Sequence, residues 1–177
     1  MTIDSVKISI DPGENFYETG KKIKYYSGSA IFPKTIKTAE VKEIIDGPSL
    51  YKIFALDDKR QPHLYKIVAQ APDKRLLVRF IEPAANSTSG GLGMVYYVVS
   101  GTGTVLASGE MPAQPPSRNS HANNTVIEKL TSYFSNCPAV MANLGKGSTT
   151  QPDGTQTAFT ENIPLGFKVQ KGVYRCD

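Results

Sequence analysis

Tryptophan is missing from the chain, and histidine and cysteine occur only twice each in its 177 residues. With two histidines and no Cys-x-x-Cys pair, the sequence predicts no metal site of the usual zinc type. Residues 145–149, GKGST, resemble a fragment of a phosphate-binding loop, but Val140 stands where that motif needs its first glycine. We therefore expect the protein to work without a metal or another cofactor.

Recognisable catalytic groups are also scarce. The chain has no Gly-x-Ser-x-Gly nucleophile motif. Cys137, with His121 as its base, is the remaining candidate for nucleophilic catalysis. Cys137 directly follows a predicted helix, however, and the negative end of the helix dipole disfavours a reactive thiolate. The sequence therefore predicts a protein that is not an enzyme.

The two cysteines indicate the compartment. Cys137 follows the predicted helix and Cys176 is the penultimate residue. A terminal segment held by a disulfide is common where thiols oxidise, and closing a loop of 38 intervening residues stabilises a fold by roughly 3–4 kcal/mol on the chain-entropy model. The alternative is a pair of unrelated buried thiols in a reducing compartment. We favour the disulfide.

Long apolar runs are absent too. None approaches the roughly 20 residues that a membrane-spanning helix needs, so no transmembrane segment is predicted. The N-terminus has neither the basic start nor the apolar stretch of a signal peptide. Because the cysteine pair favours an oxidising compartment, we expect a secreted or periplasmic protein from which the signal peptide has been removed.

Two sequons are consistent with secretion. Asn86 is followed by Ser-Thr within a Gly-rich segment, and Asn123 is followed by Asn-Thr just before the predicted helix. Both positions would leave a glycan in solvent, so they are candidate glycosylation sites, although such triplets also arise by chance.

The charge is modestly basic. The formal net charge is +4, and the densest basic group is Lys21, Lys22 and Lys24 beside Tyr25 and Tyr26. Basic residues interleaved with aromatics are able to meet a nucleic-acid backbone. A solvated strand face explains the same pattern and is more common, so the sequence does not favour a nucleic-acid partner.

Residues 63–110 predict four consecutive antiparallel strands, which we take as the centre of a sheet. In the second of them, Leu76, Val78 and Phe80 lie on one face, and Arg75 and Arg79 lie on the other. Successive strand residues point to opposite faces, so a shift of one residue would bury both arginines. The alternation therefore fixes the register of this strand.

A single helix is predicted late in the chain, over 126–135. Val126, Leu130 and Phe134 belong to its apolar stripe. Thr125 with Glu128 has the spacing of a capping box. Short strands are predicted over 35–46 and 139–143, a loop over 145–157, and a last strand over 167–176.

These elements predict a mainly β fold of the β-rich α+β class, as one domain over 1–177. We expect eight to ten strands in an antiparallel meander that forms a curled sheet or barrel, with one helix at about 125–135. A two-sheet β-sandwich is the alternative. The order of elements, a meander followed by a late helix and a terminal disulfide, resembles that of the lipocalins. The early Gly-x-Trp of that family is missing, so membership is not claimed.

Two functions fit this prediction. The first is a non-catalytic binding protein that recognises an unknown protein partner, including a host-directed effector. The second is a carrier of a small apolar ligand inside the sheet. The carrier would use a pocket lined by Tyr65, Phe80, Tyr96 and Val98. A closed core with an exposed apolar patch would instead favour protein recognition.

Overall fold

Strands dominate the computed structural model of the chain. It describes residues 6–10, 16–19, 21–26, 32–57, 59–81, 93–111, 121–144, 147–150, 156–159 and 163–177. The strands are β1 Val6–Ile10, β2 Phe16–Thr19, β3 Lys22–Tyr25, β4 Lys34–Lys37, β5 Val41–Asp46, β6 Ser49–Phe54, β7 His63–Gln70, β8 Lys74–Ile81, β9 Gly93–Ser100, β10 Val105–Met111, β11 Gly147–Thr150, β12 Gln156–Phe159 and β13 Tyr174–Arg175. The helices are α1 His121–Phe134, α2 Pro138–Asn143 and α3 Ile163–Val169, with a 3-10 turn at Thr38–Glu40.

The main sheet is a meander. Its hydrogen-bonded strand order is β1-β5-β6-β7-β8-β9-β10, so the strands from β5 to β10 follow one another as they do in the sequence. Two parallel pairs are added to it, because β1 pairs with β5 and β13 pairs with β7. The mainly β meander with a helix near 125–135 is confirmed. The sheet is not closed, so a barrel is not formed.

The chain divides into two compact units. The first contains residues 1–67 and 171–173, and the second contains residues 68–170 and 174–177. The boundary falls inside β7, between Ile67 and Val68. The expectation of one domain over 1–177 stays a prediction.

The first unit has a small core of its own. Ile23 from β3, Val41 and Ile44 from β5 and Leu64 from β7 are buried together. β2, β3 and β4 form a separate three-stranded antiparallel sheet in this unit. The strand predicted over 35–46 is present, but the turn at Thr38–Glu40 interrupts it.

The second unit packs helices on one face of β8, β9 and β10. Val78 of β8 pairs with Tyr96 of β9, and both side chains are buried in one cluster with Val126, Leu130 and Phe134 of α1. The i, i+4, i+8 spacing of the α1 residues produces this stripe. The strand alternation and the helical stripe predicted from the sequence therefore meet in a single core.

A glycine allows one close approach in this core. A Cβ atom at Gly109 of β10 would lie only 2.7 Å from Cε1 of Tyr96. The Tyr96 ring therefore lies directly over the backbone of β10, in space that any larger residue at position 109 would fill. Tyr96 is consequently part of the packing between β9 and β10.

Some local predictions were wrong. α1 begins at His121, so Thr125 lies inside the helix and the capping box with Glu128 is not formed. Residues 139–143 are helical because Pro138 occupies the first turn of α2, where proline is favoured.

The end of the chain also differs from the prediction. The strand expected over 167–176 is replaced by α3, whose Ile163 and Phe167 are buried at an i, i+4 spacing. Only Tyr174–Arg175 pairs as a strand. The loop expected over 145–157 contains β11 and the start of β12, which pair antiparallel.

The predicted disulfide is confirmed. Cys137 and Cys176 are bonded, with their Cα atoms 4.9 Å apart, and the structure contains no free cysteine. Both are buried, and the backbone N–H of Cys176 donates to the carbonyl of Gln70 at the end of β7. The bond thus ties the last residues of the chain to the turn between α1 and α2.

We expect the disulfide to carry much of the stability of the second unit. The variant Cys137→Ala, Cys176→Ala should lower the free energy of unfolding by about 3–4 kcal/mol, as expected for a loop of this length. Urea denaturation of the oxidised protein and the variant measures this difference. The intact mass under alkylation, with and without reduction, is the control, and two freely alkylated thiols in the native protein would contradict the assignment.

Candidate functional site

The second unit presents a sheet face opposite to its helices, which we call the outer face. Arg75 and Arg79 of β8 lie on it, as the sequence predicted, because Leu76 and Val78 are in the core. Cross-strand pairs place three rows of residues on this face: Arg75–Val99–Val105, Leu77–Tyr97–Ser108 and Arg79–Val95–Glu110.

The outer face combines buried and exposed apolar groups. Leu77 and Val99 are buried, so the centre of the face is covered within the chain and only its margin is accessible. Val95 and Tyr97 are half-buried, whereas Ile81 and Val105 are 43% and 40% exposed. Aromatic residues and arginine surrounding an apolar centre are enriched at protein interfaces. This composition makes the outer face a candidate recognition surface.

Strand β10 is the last strand in the order of the sheet, and its pairing with β9 is irregular at the start. Leu106 is an extra residue, because Val105 pairs with Val99 while Ala107 pairs with Val98. Such a β-bulge bends the strand and re-aims the side chain. The Tyr133 hydroxyl of α1 donates a hydrogen bond to the Leu106 carbonyl at 3.1 Å. The bulge is therefore held by the helix, while the Leu106 side chain remains 43% exposed.

The predicted ligand pocket does not gather all of its residues in one unit. Tyr96 and Val98 are buried in the core under the helices, and Phe80 packs against them. Burial, with a smaller contribution from nearby Tyr133, raises the pKa of Tyr96. Tyr65 belongs to the first unit, where its ring lies 6.1 Å from that of Phe54. Phe80, Tyr96 and Val98 therefore share one cluster, and the pocket with Tyr65 stays a prediction.

A histidine lies between two carboxylates in the first unit. Nδ1 of His63 is 3.3 Å from Oε1 of Glu18, and Nε2 is 3.4 Å from Oδ2 of Asp57. Glu18 comes from β2, and Asp57 follows β6. Asp57 also accepts a hydrogen bond from the backbone N–H of Gln61 at 2.8 Å. Each of the two ring nitrogens of His63 thus faces a carboxylate oxygen. The cluster links β2 to the start of β7.

A buried lysine lies near this cluster in the sequence but on the other face of β7. Lys66 is only 2% exposed and pairs with Tyr51 of β6. Burial lowers the pKa of Lys66 to about 8, and Asp46 partly opposes this change. Burial, assisted by the Asp46 charge, raises the pKa of Tyr51 to about 12. Tyr51 also pairs with Ile44, and Asp46 lies two residues after Ile44 on the same face of β5. Asp46, Tyr51 and Lys66 therefore share one sheet face.

The sequence contained a partial signal for these polar groups. Lys66 stands between Leu64 and Val68 on one strand face, and a lone charge at such a position suggests burial. Glu18 and Asp57 carry no comparable signal, since their contact with His63 depends on long-range folding. Prediction from the sequence missed all three.

The structure also shows where the basic group and one of the two sequons lie. Lys21 and Lys22 are exposed beside β3. Asn86 lies outside the described residues, and Asn123 lies in the first turn of α1. Among the residues with described positions, no group of three or more His, Cys, Asp or Glu side chains is placed to hold a metal ion.

Comparisons with known proteins give no match to any family model, any curated protein or any solved structure. In the described part of the chain, no helix has the length and apolar character needed to cross a membrane.

The Lys66 environment predicts an unusual dependence of stability on pH. Between pH 8 and 10, Lys66 is neutral in the folded state and protonated in the unfolded state, so stability should increase with pH, by up to about 3 kcal/mol if the full shift is realised. Above pH 10, Tyr51 stays protonated only in the folded state, so stability should decrease. Urea denaturation across pH 7–12 measures both limbs. Lys66→Met is expected to abolish the increase, and an unchanged increase in that variant would contradict the assignment.

The His63 cluster predicts strong coupling between its members. His63→Ala leaves two poorly exposed carboxylates without the group between them, which should lower the free energy of unfolding by about 2–3 kcal/mol. A double-mutant cycle with Glu18→Gln should give a coupling of about 1 kcal/mol or more. The matched control is the exposed Lys37–Glu40 pair, 3.3 Å apart, which should couple by a few tenths of a kcal/mol. Equal coupling in the two pairs would count against the cluster.

Proposed function

We propose that this protein is a non-catalytic binding protein of an oxidising compartment, secreted or periplasmic, and that it recognises a protein partner through the outer face and strand β10. The observation that carries the proposal is the exposure of Ile81, Val105 and Leu106 on a sheet that also carries two arginines. Exposed apolar side chains held by buried neighbours supply a preformed contact surface.

The disulfide supports the choice of compartment. The Cys137–Cys176 bond joins two buried sulfurs, and structural disulfides persist mainly where the surroundings are oxidising. Removal of a signal peptide is part of this proposal and follows from the same reasoning.

The packing of Tyr96 favours protein recognition over transport of a small ligand. A carrier needs space inside the sheet. The Tyr96 ring instead fills the position over Gly109, and Val98 contacts the helical layer. On the outer face, by contrast, Ile81 and Val105 are exposed beside the partly exposed arginines, which favours a partner with its own surface.

The charges of the outer face define the partner further. Arg75 and Arg79 are both half-buried on this face, and the chain carries a net charge of +4. A partner with apolar residues opposite the exposed side chains and an acidic group opposite Arg75 would have complementary chemistry, and the opposite charges would speed association at low salt.

Photo-crosslinking tests the proposal. Ile81→benzoylphenylalanine places a photoreactive group on the outer face, and Val169→benzoylphenylalanine places one on α3, where Val169 is 65% exposed. Irradiation in the extracellular or periplasmic fraction of the source cells should give a discrete crosslinked protein from position 81 only.

Two further variants decide whether the capture is specific. Val105→Lys should reduce the yield at position 81 at least tenfold by placing a charge in the apolar contact, whereas Val169→Lys should leave it unchanged. The proposal is wrong if position 169 captures the same protein equally well, if Val105→Lys has no effect, or if position 81 captures nothing.

A further inference from the structure

Resting on the proposed function, we infer that the partner binds by adding an extended strand to the free edge of β10. Three properties of β10 support this mode of binding: its position at the end of the described strand order, its sequence and its single charge.

Among the described strands, one side of β10 has no neighbour. β10 is the last strand in the order of the main sheet, and β9 is the described strand with which it pairs. Within the described ranges, the Tyr133 hydroxyl at the Leu106 carbonyl is the only hydrogen bond that β10 receives from outside its pairing with β9. An edge strand carries alternate N–H and C=O groups that point away from its neighbour. Another extended strand can satisfy them, whereas a helix has its own backbone groups already bonded.

The sequence of β10 lacks the usual protection of an edge. The segment VLASGEM contains no proline and no lysine, and Glu110 is its only charged residue. Natural edge strands are generally blocked by such residues or by a bulge. Here the bulge at Leu106 lies at the start of the strand, which leaves the regular stretch from Ala107 to Met111 available.

Side chains along this stretch are compatible with a neighbour. Ala107 and Gly109 point to the helical side and are small, so they present little bulk beside an added strand. Ser108 and Glu110 point to the outer face and are exposed. Side chains of an added strand would therefore point alternately to the helical side and to the outer face, as those of β10 do.

The charge of Glu110 indicates whether the added strand comes from a different protein or from a second copy of this chain. Glu110 has no ion-pair partner among the described residues. In an antiparallel β10–β10 pairing, no register places a basic residue opposite Glu110, because Val105–Met111 contains none. The register centred on Glu110 would oppose two carboxylates, which is unfavourable. We therefore assign the site to a strand from another protein, with Lys or Arg opposite Glu110 and an apolar residue beside Leu106.

A peptide experiment tests this mode of binding. The probe is the tightest peptide obtained by panning a random nine-residue phage library on the disulfide-bonded protein. Hydrogen exchange should show at least tenfold slower exchange for amides within 107–111 when the synthetic peptide is bound, with little change in β8. Two peptides are then compared, each methylated on every second backbone nitrogen. Methylation of the nitrogens that face β10 should weaken binding at least tenfold, and methylation of those that face away should weaken it little.

The charge opposite Glu110 gives a reciprocal test. Replacing the basic residue of the peptide by Glu should weaken binding to the native protein by about threefold to fivefold, and Glu110→Lys should reverse this preference. Ser108→Thr is a matched β10 control and should bind both peptides with the native preference.

The outcomes separate the mode of binding from the proposed function. No enriched peptide, equal affinity for the two methylated series, or protection confined to other elements would overturn strand addition. Concentration-dependent dimers in native mass spectrometry that Glu110→Lys abolishes would also overturn it in favour of a second copy. Photo-crosslinking at position 81 would remain positive in these cases if a folded partner recognises the outer face alone.

Discussion

The packing of the α1 stripe against the sheet is the constraint from which the second unit follows. Val126, Leu130 and Phe134 supply one apolar surface, and alternate residues of β8 and β9 supply the other. Each buried side chain of this kind contributes about 1.5–3 kcal/mol relative to exposure. Because this face must be dry, Arg75 and Arg79 are forced to the opposite face. The composition of the outer face is thus a consequence of the core.

The two ends of this unit are fixed by different means. The chain end returns to the core through Cys176, whose backbone bonds to Gln70 and whose sulfur bonds to Cys137. The start of β10 is fixed through Tyr133, whose hydroxyl meets the bulge at Leu106. Both contacts join residues that are distant in the sequence, so the chain end and the start of β10 are tied to the same core. Under the proposed function, a strand held in this way would lose little conformational entropy on binding.

The first unit follows a different principle. Its small apolar core around Ile23 and Ile44 is accompanied by poorly exposed ionisable groups at His63 and Lys66. Buried charges contribute little net stability, but removing one member of such a set is costly. The polar groups therefore make this unit sensitive to pH and to substitution, while the second unit depends mainly on apolar packing and on its disulfide.

Several features of the protein were determined by the sequence itself. The alternation in β8, the stripe of α1 and the cysteine pair each depend on residue types at short, regular spacings or on a strong chemical preference, and the structure confirms all three. Periodicity reports which side of an element is buried, so the faces of these elements were predictable. Residues 139–143 and 167–176 were misassigned because short apolar stretches fit a strand or a helix equally well, and packing decides between them.

Tertiary structure alone decided which faces stayed exposed and which distant groups met. The sequence grouped Tyr65, Phe80, Tyr96 and Val98 as candidate pocket residues, but it carried no signal that the Tyr96 ring lies over Gly109 of β10 or that the Tyr65 ring lies beside Phe54. Likewise, no local pattern brings Glu18 to His63, 45 residues away. Local spacing specifies the orientation of a side chain along its own element, whereas its neighbours across the sheet depend on register and strand order, which the whole chain sets through long-range contacts.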